Sequence, residues 1–342
     1  MSKRVSLKDI AIEVGVSTAL VSYVLTGKEK EARVGIEKAK QIKKVAKRLN
    51  YQPNLIARGL KSGRTKTLGL IVADISNPFF ATLARIIENE AGKLGYTVII
   101  GSSDEKIEKS KNIIETFLNR QVDGMIITPV EGAKPQITEL EKRKIPFVLI
   151  DRSFSNTDKN VVVIDNRDAS KKAVEALVKN GYIKIGMLTY DTELTHIQNR
   201  IQGYKDALNE NGINLKESWI RYVSYENTQE DVDKTLSYLL KGKPSRVTAL
   251  FFATNSISVS ALRFIAKSQI KIPDDLGLIC FDESEVYDFF YTPVSFVKQN
   301  LDAIGQSAVT MLAELIERKL LEKRRIVVPA ALIQRESSGK IL

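Results

Sequence analysis

The sequence predicts an all-α head over residues 1–50 and an α/β core built from two doubly wound parallel-sheet subdomains. Three observations predict it. Residues 1–66 hold 16 Lys and Arg against 5 Asp and Glu, while the rest of the 342-residue chain holds 36 of each, so the whole net charge of +11 lies in the first fifth. Within that basic stretch, apolar residues recur at helical spacing. From Leu68 onward, short apolar runs alternate with amphipathic stretches, the pattern of βαβ units whose parallel strands are covered on both faces.

In the head, Ser6 is placed to cap a helix through Val14, with Leu7, Ile10, Ala11 and Val14 on one face. Gly15 ends it where the chain must turn with positive φ. Ser17 caps a second helix, STALVSYVLT, in which Val21, Val24 and Leu25 face inward and Thr18, Ala19, Ser22 and Tyr23 fall on the opposite side. After Gly27 and the charged KEKEAR loop, a third helix runs from about Gly35 to Leu49, its apolar face formed by Ile36, Ala39, Ile42, Val45, Ala46 and Leu49. A helix, a glycine turn and a second helix with small polar residues at its start form a helix-turn-helix, whose second helix fits the major groove of DNA. The same helices could serve protein contacts instead, but the localised charge points to a polyanion, because neutralising phosphates releases counterions.

In the core, strands are expected at 68–72, 96–100, 124–128, 147–150 and 161–164, then at 183–188, 219–223, 248–252 and 276–281. Helices fill the gaps near 79–94, 107–120, 135–144, 168–180, 200–211, 229–241, 256–269 and 301–320. Two such series in succession imply two subdomains facing each other across a cleft.

Composition excludes several chemistries. The one cysteine, Cys280, forms no intrachain disulfide and sits in the apolar run LGLICF, where a buried structural thiol is expected. The one histidine, His196, leaves no His/Cys cluster for zinc and no Ser-His-Asp or Cys-His pair. Neither G-x-G-x-x-G after the first strand nor G-x-x-x-x-G-K-[ST] occurs, so dinucleotide and P-loop readings lose their main support. No apolar run reaches spanning length and no secretory leader is read at the start, so a cytoplasmic protein without catalytic residues, metal or cofactor is expected.

The runs VSLKDIAIEVGVSTALVSYVLTGK and YQPNLIARGLKSGRTKTLGLIV resemble the N-terminal region of the LacI family of bacterial regulators. The paired βαβ series is similar to that family's core, of the periplasmic-binding-protein type I architecture, so the resemblance covers essentially the whole chain. It implies a DNA-binding head (1–50), a hinge (51–65) and an effector-binding, dimerising core (66–342). Three crossings are expected near 162–165, 291–297 and 323–328. They give an N-subdomain of about 66–163 plus 297–325 and a C-subdomain of about 164–293 plus 326–342.

The resemblance also implies the partners: a double-stranded DNA operator, a homodimer mate and a small-molecule effector, a carbohydrate or related metabolite. The residues it places at DNA are Ser6, Ser17, Thr18, Ala19, Ser22 and Tyr23 in the head and Asn54, Ala57 and Leu60 in the hinge. In the family the hinge helix pairs with its mate in the minor groove and wedges a leucine between base pairs; Leu60 matches that leucine. A linker residue packed on the core is the alternative for Leu60. The sequence departs from the family at Tyr23, where an arginine commonly reads guanine, at Leu20, and in a longer loop around 28–34. Tyrosine has one hydroxyl and cannot make a bidentate contact to guanine.

Ligands of open α/β sheets bind beyond the carboxyl ends of strands. The DISNPFF string there supplies Asp74, Phe79 and Phe80, suited to a sugar ring with its apolar faces and hydroxyl rim. Asp151 in IDRSF, Arg200 in NRIQGY, Asn255 in FATNS, Asp282 in CFDES and Gln299 in VKQN match the family's effector positions. Taken singly, Asp74, Asp151 and Asp282 are equally suited to cap helices or order loops, Arg200 to pair with a carboxylate, and one of Phe79 and Phe80 to fill core. Ser256 replaces a frequent aspartate, and the glycine-alanine pair usual after Asp165-Asn166 is altered.

Overall fold

The computed structural model describes residues 5–51, 64–154, 160–241, 246–319 and 324–339. The chain divides into two compact units, Met1–Thr65 and Lys66–Leu342.

The head unit contains α1 (Leu7–Val14), α2 (Thr18–Leu25) and α3 (Ile36–Arg48). Ser6 and Asp9 form a reciprocal capping box at the start of α1, and Gly15 closes the helix with φ 69°. Ile10, Val21, Val24 and Ile42 are buried where the three helices meet. Ile36 departs from its expected place on the apolar face of α3: it is 75% exposed, because the first turn of α3 projects beyond the point where α1 and α2 pack. The charged loop before α3 is tied down by a Glu29–Lys43 ion pair of 2.7 Å, and Glu13 of α1 pairs with Arg48 of α3.

The core unit holds two six-stranded sheets. Its elements are β1 (Thr67–Val72), α4 (Pro78–Lys93), β2 (Thr97–Ser102), α5 (Ile107–Asn119), β3 (Gly124–Ile127), α6 (Lys134–Lys142), β4 (Phe147–Ile150) and β5 (Val161–Ile164). The second series is α7 (Asn166–Lys179), β6 (Ile185–Tyr190), α8 (Thr195–Glu210), β7 (Ile220–Val223), α9 (Thr228–Leu239), β8 (Ala249–Phe252), α10 (Asn255–Ala266), β9 (Gly277–Phe281), α11 (Val286–Phe289) and β10 (Ser295–Gln299). It is completed by α12 (Leu301–Ile316), β11 (Arg325–Val328) and β12 (Ala330–Ile333). The strand orders are β11-β5-β4-β3-β1-β2 and β12-β10-β9-β8-β6-β7, so the two sheets share one spatial order and differ in the direction of one edge strand. Every pairing is parallel except β10 with β12.

The central strands β1, β3, β4, β6, β8 and β9 are buried nearly throughout, as strands covered by helices on both faces must be. The edge strand β2 is half exposed, with Ile100 at 42%, since it has a neighbour on one side only. Cys280 is buried in β9, and burial pushes its thiol up to about 12.

The chain passes between the subdomains at Asp165, at Asn300 and at Pro329. The last two differ from the expected 291–297 and 323–328. Residues 295–299 are a strand of the second sheet, bonded to β9, and Arg325–Val328 adds to the first sheet beside β5. The N-subdomain segment expected to begin at 297 therefore begins after Gln299, and the C-subdomain segment expected from 326 begins after Val328. SFVKQ mixes apolar and polar residues just after Pro293, so it lacks the uniform apolarity that marked the other strands. Helix α12 packs on α4 and the first sheet.

Candidate functional site

In the head, the side chains expected at DNA sit around the start of α2. Ser17, Thr18 and Ala19 are exposed, Tyr23 is 45% exposed one turn later, and Ser22 is half-buried. Ser17 Oγ accepts from the Leu20 amide at 3.2 Å, so this serine fixes where the helix begins. Ser6 is engaged likewise, its hydroxyl accepting from the Asp9 amide at 3.3 Å and donating to the Asp9 carboxylate at 2.7 Å. Val21 and Val24 anchor the opposite face in the head core, which leaves the polar face open. Asn54, Ala57 and Leu60 lie outside the described residues.

In the core, a cleft of about 700 Å³ opens beyond the carboxyl ends of the strands of both sheets. Asp74, Phe79, Phe80, Asp151, Arg200, Asn255 and Asp282 all line it. Gln299 does not; its Nε2 donates to Asp282 Oδ1 at 2.6 Å and supports that carboxylate from behind. Phe79 and Phe80 are both buried and meet edge to face at 4.9 Å, so each is at once core and cleft wall.

Arg200 is held by three partners. Its Nε donates to Asn166 Oδ1 at 2.8 Å and its Nη1 to the Ala253 carbonyl at 2.7 Å, while the guanidinium lies 3.6 Å from the Phe281 ring centroid. The first contact depends on helices α7 and α8 touching closely. Gly203 permits this, since a Cβ there would collide with the Arg167 carbonyl oxygen of α7.

Burial lowers the Arg200 guanidinium from its ordinary value, and Asp282 and Asp151 draw it back up. Burial likewise raises the carboxyls of Asp151 and Asp282, against the pull of Arg152 and Arg200 on the first and of Arg200 and Gln299 on the second. His196 lines the same wall and is held well below its ordinary value by burial and by the two arginines, which makes it neutral.

On the other wall, Arg152 donates from Nη1 and Nη2 to the two carboxylate oxygens of Glu105, both at 2.7 Å, and from Nε to Asp151 at 3.2 Å. Burial opposes its charge, but Glu105, Tyr225 and Asp151 together outweigh burial and the guanidinium is raised overall. Tyr190 and Tyr225 stack at 3.9 Å in the second subdomain, adding aromatic surface. The two subdomains touch at the cleft through Asn77 Nδ2 donating to Ser256 Oγ at 3.5 Å and Thr192 Oγ1 donating to Glu131 at 2.7 Å.

Arg152, Glu105, His196, Asn166, Tyr190 and Tyr225 were not named as effector-site residues from the sequence. Signals for three of them existed. Glu105 and Tyr225 follow β2 and β7, as Asp74 and Asp151 follow their strands, and His196 precedes Arg200 by one helical turn, on the same face. The pairing of Arg152 with Glu105 had no such signal. No group of three or more His, Cys, Asp or Glu side chains among the described residues is placed to hold a metal ion, and no described helix is long and apolar enough to cross a membrane.

Comparison with known proteins gives the following. The family model "Bacterial regulatory proteins, lacI family" matches residues 6–54, and "Periplasmic binding proteins and sugar binding domain of LacI family" matches residues 65–336. Catabolite control protein A of Priestia megaterium is 30% identical over 98% of this chain and 99% of its own length. The ribose operon repressor of Haemophilus influenzae is 30% identical over 97% and 98%. The solved structure of the Lac repressor dimer bound to operator and the anti-inducer ONPF superposes with a TM-score of 0.86 at 22% identity, over 98% of this chain and 99% of that one, and so shares its fold.

Proposed function

The chain belongs to the LacI family of bacterial regulatory proteins, and we propose that it is a transcriptional repressor whose hold on a DNA operator is set by a small carbohydrate or related metabolite in the core cleft. One observation carries this reading. The cleft gathers Asp151 from the first subdomain and Arg200, Asn255 and Asp282 from the second, beside aromatic rings, in a chain whose entire charge excess lies in residues 1–66, the helix-turn-helix head and the segment that follows it. Planar carboxylate, amide and guanidinium groups suit the hydroxyl rim of a sugar, and Phe79, Phe80 and the tyrosine pair suit its apolar faces.

A ligand bridging both walls changes the angle between subdomains. In a homodimer that change reaches the paired heads through residues 51–65, and operator and effector affinity become reciprocally linked, by about 1–3 kcal/mol in typical cases. We place this regulatory role in the cytoplasm, with the cleft binding its ligand rather than transforming it.

Fluorescence anisotropy against genomic DNA fragments at two salt concentrations, with and without a panel of neutral sugars, tests the reading. The expected result is one fragment class bound far tighter than random DNA, with a steep salt dependence and an affinity that one sugar changes by about 5- to 150-fold. Binding no tighter than random DNA at either salt concentration would overturn it.

A further inference from the structure

Resting on the carbohydrate reading above, we propose that Glu105 sets the charge of the ligand this cleft accepts. By filling the forked face of the Arg152 guanidinium with the protein's own carboxylate, it makes the cleft selective for an uncharged polyhydroxylated ring and closes it to phosphorylated or carboxylated sugars.

A guanidinium presents its N–H donors in a planar fork that matches carboxylate and phosphate groups, which makes a free buried arginine the natural receptor for an anion. Arg152 is not free. Both Nη atoms are engaged by the two oxygens of Glu105 at 2.7 Å, and Nε by Asp151. The pair is withdrawn from water, with side-chain exposures of 6% for Arg152 and 18% for Glu105, so solvent screens it little.

The backbone is bent to deliver this carboxylate. Asp104 and Glu105 are consecutive non-glycine residues at φ 51° and 57°, and the Glu105 amide donates to the Ala73 carbonyl at 3.3 Å. Left-handed backbone at two adjacent L-residues persists only where its surroundings impose it, and such strain gathers at ligand sites.

Of the two other lining cations, Lys106 is an exposed ammonium without a fork, and Arg200 is already engaged. Arg200 is held by Asn166, the Ala253 carbonyl and Phe281, with Asp282 and Asp151 as its nearest charges. Together the lining side chains comprise six carboxyls (Asp74, Asp104, Glu105, Asp151, Glu226 and Asp282) against Lys106, Arg152 and Arg200. Even with the two buried aspartates protonated, the balance is not positive. A phosphate monoester, carrying about −1.5 to −2 charge near neutrality, would enter against that field with the Arg152 fork already filled. A neutral ring needs only hydroxyl partners, and Asp282, Asn255 and the neutral His196 supply them.

Isothermal titration calorimetry on the full chain tests the proposal with wild type, Glu105→Gln and the double variant Glu105→Gln/Arg152→Gln. Glutamine keeps the shape of Glu105 and one carbonyl acceptor for Arg152, and the double variant removes the Glu105–Arg152 pair together, leaving Asp151 to Arg200, so circular dichroism and melting of all three proteins accompany the titrations.

With inorganic phosphate alone, Glu105→Gln should bind at least about tenfold tighter than wild type, and the double variant should lose that gain. With neutral hexoses and pentoses titrated beside their phosphates and uronates, wild type should favour the neutral member of each pair by about tenfold or more. Phosphate binding wild type as tightly as Glu105→Gln, or a gain that survives loss of Arg152, would overturn the proposal, as would a sugar phosphate matching its parent sugar on wild type. If no sugar of either kind binds while the phosphate series behaves as expected, the carbohydrate reading fails and charge selection by Glu105 stands.

Discussion

Asp151 and Asp282 occupy the same place in two different sheets. Each directly follows the strand that is third in its sheet's order, β4 in one and β9 in the other, and each has a left-handed backbone, φ 65° and 69°. Both are buried, and both act on the single Arg200 guanidinium. An L-residue in this region costs roughly 1–2 kcal/mol, and aspartate is among the few non-glycine residues that visit it routinely. The fold repeats this strained position and turns both carboxyls toward one cleft.

Asp282→Asn retains the side chain's shape and its tolerance of positive φ while removing the charge. Hydrogen bonds to charged groups contribute about 1.5–3 kcal/mol, so affinity for the neutral effector should fall on the order of 10- to 100-fold. Melting should stay level or rise, since burial disfavours the ionised carboxyl. Calorimetry and a thermal melt on the same sample check both outcomes; unchanged affinity would remove Asp282 from the ligand's contacts.

Gly203→Val separates two functions of one contact. Its Cβ would meet the backbone of α7, where Lys171 N and Ser170 Cβ are already 3.0 Å from an ideal Cβ. Overpacking of this kind typically costs about 1–3 kcal/mol, read in a urea denaturation. The displaced helix also draws Arg200 away from Asn166, so effector affinity should drop by more than the loss of folded protein explains.

His196 makes the core sensitive to mild acid. Its ordinary value is 6.5 and its folded value lies well below that, so between the two the unfolded chain takes up a proton that the folded chain refuses. Stability is therefore full above about pH 6.5 and is lost as pH falls below it. Asp151 and Asp282, raised from 3.8, act in the opposite sense, favouring the fold at lower pH and losing that contribution as pH rises through their folded values. Melting temperatures of wild type and His196→Gln at pH 7.5 and 5.5 isolate the histidine: the variant should lose less on acidification, and equal losses would refute the assignment.

Tyr23 presents an exposed ring and hydroxyl on the polar face of α2. If it reads a base edge, Tyr23→Phe should weaken specific DNA binding by about 1 kcal/mol, or about fivefold, while the slope of log affinity against log salt stays the same, because no phosphate-neutralising charge is lost. Tyr23→Arg should shift the preferred sequence toward guanine. Selection from a randomised operator pool measures the shift; a changed salt slope in Tyr23→Phe would place the residue at the backbone instead.

Much of this molecule is legible from local pattern. Apolar runs such as FVLI and VVVI mark β4 and β5 to the residue, and Ser6, Gly15 and Ser17 mark helix ends, because periodicity and capping are properties of a few adjacent residues. The strand-end rule pointed to Asp74, Phe79 and Phe80 for the same reason, while the family resemblance supplied Asp151, Arg200, Asn255 and Asp282. The resemblance placed Gln299 at the ligand too, but this last residue of β10 stands behind Asp282, and local pattern missed β10, whose mixed composition hid it.

What local chemistry decided, then, is the partition of charge, the order of helices and strands, and the acids and aromatics that end those strands. What only the tertiary structure decided is which of these side chains meet. Glu105 lies 47 residues from Arg152, and Asn166 lies 34 from Arg200. Their contacts arise from sheet order, three chain crossings and the close approach of α7 to α8, all products of long-range packing. Charge selection in the cleft rests on those contacts, so it is a property of the folded chain rather than of any one motif.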